Sequence, residues 1–449
     1  MCVIDYSVST TYDENMRTQI VHRGAGELSY DIRGIVALAK KIQAQGMTII
    51  WENIGDPIAK GHAVPTWIKD IIRQILDDDV SFGYSPTRGV GVARRFIATQ
   101  RSREGGATLS SQDILFFNGL GDAISIVYTY LNDGARILGP SPAYPTHSSA
   151  EGAHARQHHL TYMLDPAHGW LPNIEDIRNK VRYNPTITGI LIINPDNPTG
   201  VVYPEAMMRD IVAIAREYDL FIISDEIYAH LAYGDEPFVS LAQVIGDVPG
   251  IALRGLSKEV PWPGARCGWA EFYNRDKDAD FARYTQTLYD AKMLEVCATT
   301  LPQYALPQIC GDARFAQHLA QQRAFYKRRA IQATAIFRAV PGVTVVQPQG
   351  AFYITVVFDD MPVDGTLVID HSVVRTLVEN AIIDARADAR FVYYLLGATG
   401  ICTVPLSSFN SDMHGFRMTL LERDDVRFTQ TCTMIADALV RYRNNKDIS

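Results

Sequence analysis

The sequence predicts an α/β chain: a mostly parallel sheet with helices on both faces, plus a smaller α+β part made from the two ends. Three observations carry this. Between residues 114 and 254 short apolar runs alternate with helical patterns. Loops rich in Gly, Pro, Asn and Asp follow those runs. At 449 residues, 47% hydrophobic and 20% charged, the chain is long enough for two domains and a large core. The formal net charge of −8 lacks the basic footprint that nucleic-acid backbones require. Six cysteines lie scattered without CxxC spacing, which indicates neither a zinc site nor a disulfide scaffold and suits a reducing cytoplasm. No basic-then-apolar leader is visible, and runs such as Gly189–Ile193 are far too short to span a bilayer.

Residues 1–28 are polar and mixed, an arm expected to dock elsewhere. Asp31–Gln45 places Ile35, Leu38, Ala39 and Ile42 at helical spacing. Met47–Trp51 is a strand that runs into Glu52-Asn53-Ile54-Gly55-Asp56-Pro57, a breaker-rich turn where Gly55 permits close approach of a backbone N–H to a ligand. Thr66–Asp77 is a helix with Ile68, Ile71, Ile72 and Ile75 on one face. Gly89–Arg101 is another, after a loop carrying Tyr84. Strand Ile114–Phe117 leads through Gly119-Leu120-Gly121-Asp122 to helix Ala123–Leu131. Strand Ala135–Leu138 then leads to the Pro-flanked Tyr144. Strand Gly189–Ile193, loop Asn194–Gly200, helix Pro204–Tyr218 and strands Leu220–Ile223 and Ile251–Arg254 complete the alternation. Helices over Phe281–Lys292 and Ala313–Ala339 follow. Strands Ala351–Phe358, Gly400–Val404 and Phe416–Leu421 and a helix near Val426–Tyr442 close the chain, while Asp359 to about Ala389 carries no clear motif.

The chemistry centres on Gly255-Leu256-Ser257-Lys258 and Pro263-Gly264-Ala265-Arg266. A lysine amine forms a Schiff base with an aldehyde, and arginine binds phosphate with two prongs. An aldehyde and a phosphate on one molecule suggest pyridoxal phosphate, although surface loops also carry Ser-Lys and Arg. Gly119–Asp122 opens a helix, where free N–H groups receive an anion, or is an ordinary turn. Two Asn-Pro units in Asn194–Gly200 make a stiff loop whose amides can be aimed at a ligand, or a purely structural loop. Asp225, ending an apolar strand, needs a partner such as a protonated pyridine nitrogen, or it caps the next helix. Tyr228 follows three residues later. Tyr144 stacks on a flat ring or simply packs. Arg417, in an apolar strand, clamps a substrate carboxylate if it faces inward. His154, His158 and His159 lack carboxylate or cysteine companions at ligand spacing and read as a solvated face, so no metal is expected.

In order, Asn-Pro-x-Asn-Pro-Thr-Gly, Asp-x-x-Tyr, Ser-Lys, Pro-Gly-x-Arg and a late Phe-Arg strongly resemble the class I/II aminotransferases of pyridoxal-phosphate fold type I, from about Tyr30 to the C-terminus. The resemblance implies a seven-stranded sheet. It implies an arm and part of the small domain at 1–60, a large cofactor-binding domain at 61–320 and a C-terminal small domain at 321–449. Lys258 would carry the Schiff base and shuttle a proton, and Asp225 would pair with the ring nitrogen. Asn197 and Tyr228 would bind the phenolic oxygen, Tyr144 would stack, and Gly121, Asp122, Ser257 and Arg266 would hold the phosphate. Tyr84 would reach the phosphate of a neighbouring subunit, implying a homodimer with shared sites. Arg417 and the backbone of Gly55, with Asn197, would hold the substrate α-carboxylate. Tyr30-Asp31-Ile32-Arg33-Gly34 and Asn53–Pro57 resemble the alanine (glutamate–pyruvate) branch, where Tyr30 and Arg33 would border the substrate. Glu295 stands where that branch tends to have arginine. Amino acids and 2-oxo acids are the implied substrates. β-Elimination, or an aspartate or aromatic aminotransferase, would use the same scaffold. A regulator built on it would need a DNA-binding domain, for which about thirty residues before Tyr30 are too few.

Overall fold

The computed structural model describes residues 20–28, 32–360, 362 and 364–444, without the side chains of Ile32 and Arg33. Tyr30 and the side chain of Arg33, both expected at the substrate site, lie outside the described residues. The strands are β1 (Ile50–Trp51), β2 (Ile114–Phe117), β3 (Arg136–Ser141), β4 (Leu160–Asp165), β5 (Leu171–Pro172), β6 (Ile187–Ile193), β7 (Phe221–Asp225), β8 (Gly250–Gly255), β9 (Gly268–Tyr273), β10 (Val343–Val345), β11 (Tyr353–Phe358), β12 (Ile401–Cys402), β13 (Val404–Pro405) and β14 (Gly415–Thr419). The helices are α1 (Ile32–Gln43), α2 (Thr66–Leu76), α3 (Gly91–Glu104), α4 (Leu120–Thr129), α5 (Pro145–Ala155), α6 (Ile174–Tyr183), α7 (Glu205–Glu217), α8 (Leu241–Val244), α9 (Ala279–Met293), α10 (Thr300–Cys310), α11 (Ala313–Arg338), α12 (Ser372–Ala381), α13 (Ala387–Thr399) and α14 (Asp425–Asn444).

The large sheet runs β2-β9-β8-β7-β6-β3-β4-β5. Pairing is parallel from β8 through β4, β9 is antiparallel to both neighbours, and β5 is a two-residue antiparallel addition at the edge of the other seven. Successive residues bury into opposite faces: Phe116, Ile190 and Ile192 into one core with α2, α7 and α10, Leu115, Phe117, Leu191 and Ile193 into another with α4 and α9. Burial on both faces is why these strands read as unbroken apolar runs. β9 escaped that reading because a fully buried Glu271 interrupts it, the carboxylate being matched by Arg101, Trp269 and Tyr273. α10 escaped because Pro302 and Pro307 lie within it.

A second sheet, β10-β11-β14-β13, is antiparallel, and β1 pairs in parallel with β12. Ile35, Leu38, Ala39 and Ile42 of α1 join Phe337, Ile354, Phe416 and Leu439 in one core, so the chain's two ends share it. The expected single strand Gly400–Val404 splits at Thr403, because β12 pairs with β1 and β13 with β14. The unassigned stretch from Asp359 holds α12, which buries only Val374 and Val378, too few contacts for a clear apolar stripe.

Candidate active site

Loops after β1, β2, β3, β6, β7 and β8 converge on a cavity of about 710 Å³. It lies beyond the carboxyl ends of the parallel strands, beside the point between β3 and β6 where the strand order reverses. Asp225 ends β7 only 3% exposed. Its Oδ1 accepts from the Ile227 N–H at 3.1 Å, and its Oδ2 meets His147 Nε2 at 3.0 Å. His147 Nδ1 in turn meets the Tyr128 hydroxyl at 3.3 Å. The carboxylate therefore caps its own turn and also lines the cavity. His147, in the first turns of α5, was not legible as a site residue. The buried acid called for a partner, and Tyr144-Pro145 three positions earlier was the only local signal.

Lys258 follows β8, and its Nζ donates to the Gly55 carbonyl at 2.8 Å. A side chain at 55 would force that loop or Tyr353 to shift, since an added Cβ would stand 2.1 Å from the Tyr353 hydroxyl. Tyr353, on β11, was also missed. Its hydroxyl meets that of Tyr228 at 3.1 Å. Burial, and then the neighbouring Tyr353, push the Tyr228 phenol well above its ordinary range, so it stays neutral and able to donate.

Arg417 faces inward, 4% exposed. Its Nη1 donates to Asn197 Oδ1 at 3.3 Å and its Nη2 to the Asn53 carbonyl at 2.5 Å, with the guanidinium 4.4 Å from the Tyr353 ring centre. Asn197 is free to take that bond because its loop is tied elsewhere. Asp196 accepts from the Thr199 N–H and hydroxyl, and Asn194 Oδ1 accepts from the Tyr203 N–H. The loop after β1 is anchored by a fully buried Glu52, which takes Lys60 and Thr419 at 2.7 Å each.

At the other end Gly121, Ser257 and Arg266 line the cavity where α4 begins, and Tyr144 lines its side. Arg266 has left-handed φ of 47° and donates to the Pro263 and Asn118 carbonyls, both at 3.2 Å. Gly119, at φ 86°, leaves it room, for a Cβ there would lie 2.4 Å from Nη2. Two expected cofactor contacts are not in this cavity. Asp122 turns away, its Oδ2 accepting from the Asn118 N–H at 2.8 Å and from the fully buried Lys292 at 2.7 Å. An acid there has a cation to neutralise. Glu295 completes that pairing, 2.5 Å from Lys292. Tyr84 is 87% exposed on the outer surface. His154 bonds the Ala135 carbonyl, and burial holds the His159 imidazole down at about 4. Among the described residues no cluster of His, Cys, Asp or Glu is arranged for a metal.

The model of the family "Aminotransferase class I and II" matches residues 49–433. The chain belongs to the class I and II aminotransferases. An uncharacterized aminotransferase of Methanocaldococcus jannaschii is 49% identical, over 95% of this chain and 99% of its own length. The glutamate-pyruvate aminotransferase AlaA of Escherichia coli strain K12 is 32% identical, over 72% and 79%. Among solved structures, an alanine aminotransferase from Pyrococcus furiosus aligns with TM-score 0.81 and 25% identity, over 93% of this chain and 98% of that one. The fold is accordingly that of the fold type I aminotransferases, enzymes that depend on pyridoxal phosphate, and this aminotransferase performs transamination.

Proposed function

We propose that this aminotransferase moves the α-amino group of L-glutamate to a 2-oxo acid of the pyruvate type in two half-reactions that share one site. The observation that carries this is the convergence of Lys258, Asp225 and Arg417, from β8, β7 and β14, on one cavity. The names of the E. coli and P. furiosus relatives supply the substrate pair.

The donor set fits pyridoxal phosphate. Arg266, Ser257 and the α4 N-terminus at Gly121 suit a phosphate, and the space kept by Gly119 suits the arginine that would hold it. Asp225, backed by His147, suits a protonated ring nitrogen, which leaves the acid charged at low cost. Tyr228 and Asn197 suit the phenolic oxygen, and Tyr144 a ring face. When bound, the cofactor supplies an aldehyde that takes up the amino group and a ring that withdraws electrons from the substrate Cα. Lys258 takes the Cα proton and returns it, its amine held at the floor by Gly55. Arg417 fixes the α-carboxylate against the wall formed by Tyr353.

The reading includes a homodimer. Phe82, Tyr84, Leu294 and Val296 are 71%, 87%, 82% and 50% exposed. Their two loops are tied together, Thr87 to the Val296 carbonyl and Thr300 to the Gly83 carbonyl, each at 2.8 Å. A patch of this kind suits a second copy, whose phosphate site Tyr84 would reach. The reading also includes domains at 1–60, 61–320 and 321–449. In support, Phe315 and Leu319 of α11 pack in the large core, whereas Tyr326, Ala330 and Phe337 pack in the small one. Free cysteines suit a reducing cytoplasm.

The test is a half-reaction. L-Glutamate added to the loaded enzyme should shift its visible absorbance and release 2-oxoglutarate, and borohydride should label Lys258. Pyruvate and ammonia released from L-cysteine without an acceptor, in place of that exchange, would replace transfer by elimination.

A further inference from the structure

The cavity holds one charge that amino transfer as described leaves without a task. Its lining residues include the cations Lys40, Lys258, Arg266 and Arg417 and the anions Asp56 and Asp225. Lys258, Arg266, Arg417 and Asp225 are placed above. Asp56 is committed to its own turn, its Oδ1 accepting from the Ile58 and Ala59 N–H groups at 2.8 and 3.4 Å. Lys40, in the last turn of α1, is exposed and has no ion-pair or side-chain hydrogen-bond partner among the described residues.

The helix fixes where that cation stands. Ile35, Leu38, Ala39 and Ile42 are buried in the small core, which leaves Val36, Ala37 and Lys40 to face the cavity. With Ile54 they make a wall that is apolar and carries an ammonium group. A short aliphatic chain ending in a carboxylate matches such a wall. We propose that Lys40 is a specificity residue that binds the distal carboxylate of a dicarboxylate substrate such as glutamate or 2-oxoglutarate. This rests on the transamination reading of the same site.

Two half-reactions sharing one pocket give a physical reason for an exposed lysine here. The pocket must hold a dicarboxylate in one half and a short monocarboxylate in the other. A buried arginine would be left as an unpaired charge when the monocarboxylate bound. An exposed lysine on a flexible stem returns to water at little cost, so one site serves both.

The experiment compares Lys40→Met, Lys40→Arg and Arg33→Met with the wild-type holoenzyme. The first readout is the single-turnover kcat/KM for L-glutamate divided by that for L-alanine. The second is affinity for glutarate against butyrate by calorimetry. Lys40→Met should lower the glutamate-to-alanine ratio about 10- to 30-fold, the worth of a charged hydrogen bond in a partly wet site, with KM carrying the loss. Its glutarate affinity should fall in step while butyrate's does not, and Lys40→Arg should restore most of both. An unchanged ratio, equal losses for both amino acids, or a collapse confined to Arg33→Met overturns the proposal. A wild-type enzyme that converts alanine but prefers neither glutamate nor glutarate overturns it too, and leaves amino transfer standing. If no amino acid reacts, the transamination reading fails, and the glutarate–butyrate comparison still decides about Lys40.

Discussion

At the floor of the cavity Asp225 is 3% exposed, its two oxygens taken by His147 and the Ile227 N–H; on the outer surface, the rim of the molecule, Tyr84 and Leu294 are 87% and 82% exposed. The floor is satisfied within one chain. Asp225, Tyr228, Lys258 and Arg417 each have a fixed partner there, and two glycines make room for the groups beside them. The rim presents large apolar side chains that water solvates poorly. The contrast teaches that one chain orients the reacting groups, while the exposed apolar groups are left for the second copy of the proposed dimer. Floor variants should therefore lose chemistry and keep assembly, and rim variants should lose assembly first.

Lys258→Ala should break the floor most completely, with turnover falling about 10,000-fold or more because Lys40, the other lysine lining the cavity among the described residues, stands on the α1 wall. Steady-state rates and the loss of borohydride labelling check it, and unchanged sedimentation keeps the contrast intact. Arg417→Leu should cost about 100-fold in kcat/KM, since it removes the forked pair of charge-assisted bonds proposed to hold the substrate carboxylate. A loss confined to assembly would place Arg417 with the rim instead. Leu294→Glu should raise the dimer dissociation constant about 10- to 100-fold by putting a charge in an apolar contact, as sedimentation velocity would read. Wild-type protein that sediments as a monomer at assay concentration would end the comparison.

Gly55→Ala should destabilise the loop after β1 by about 1–3 kcal/mol, because the new methyl meets the Tyr353 hydroxyl. The double variant with Tyr353→Phe should recover part of the melting temperature. The smallest effect concerns pH. Burial raises the Asp196 carboxyl from 3.8 to about 7. As pH climbs through that window the unfolded chain ionises there while the folded one stays protonated, so the wild type loses stability. An asparagine at that position cannot ionise in either state. The melting temperature of Asp196→Asn relative to wild type should therefore rise across the window and level off above about 7; a flat difference would mean that Asp196 is already charged.

The parts legible in the sequence share one property: their signal is local. Ile35, Leu38, Ala39 and Ile42 repeat at helical spacing and are the residues α1 buries. Asn197 sits between two prolines that stiffen its loop, and Lys258 sits at a strand end, so both stand at the cavity. The side chain of Asp122 points elsewhere than expected for the same reason. Its place beside a helix N-terminus is local, but the cation that claims it, Lys292, comes from α9. Tyr353 and Lys40 had no local signal and His147 only the nearby Tyr144-Pro145, because each matters only through a partner or a wall from elsewhere in the fold.

The sequence by itself determined the chemistry and the order of its carriers. Residue type sets what a group can donate, accept or attack, and turn residues mark where strands end. Tertiary structure decided which way those groups point. A strand's alternation assigns residues to two faces but does not say which face is the cavity. Only the packing of β14 between β11 and β13 turned Arg417 inward, and only the docking of α1 on the small core left Lys40 facing the substrate space.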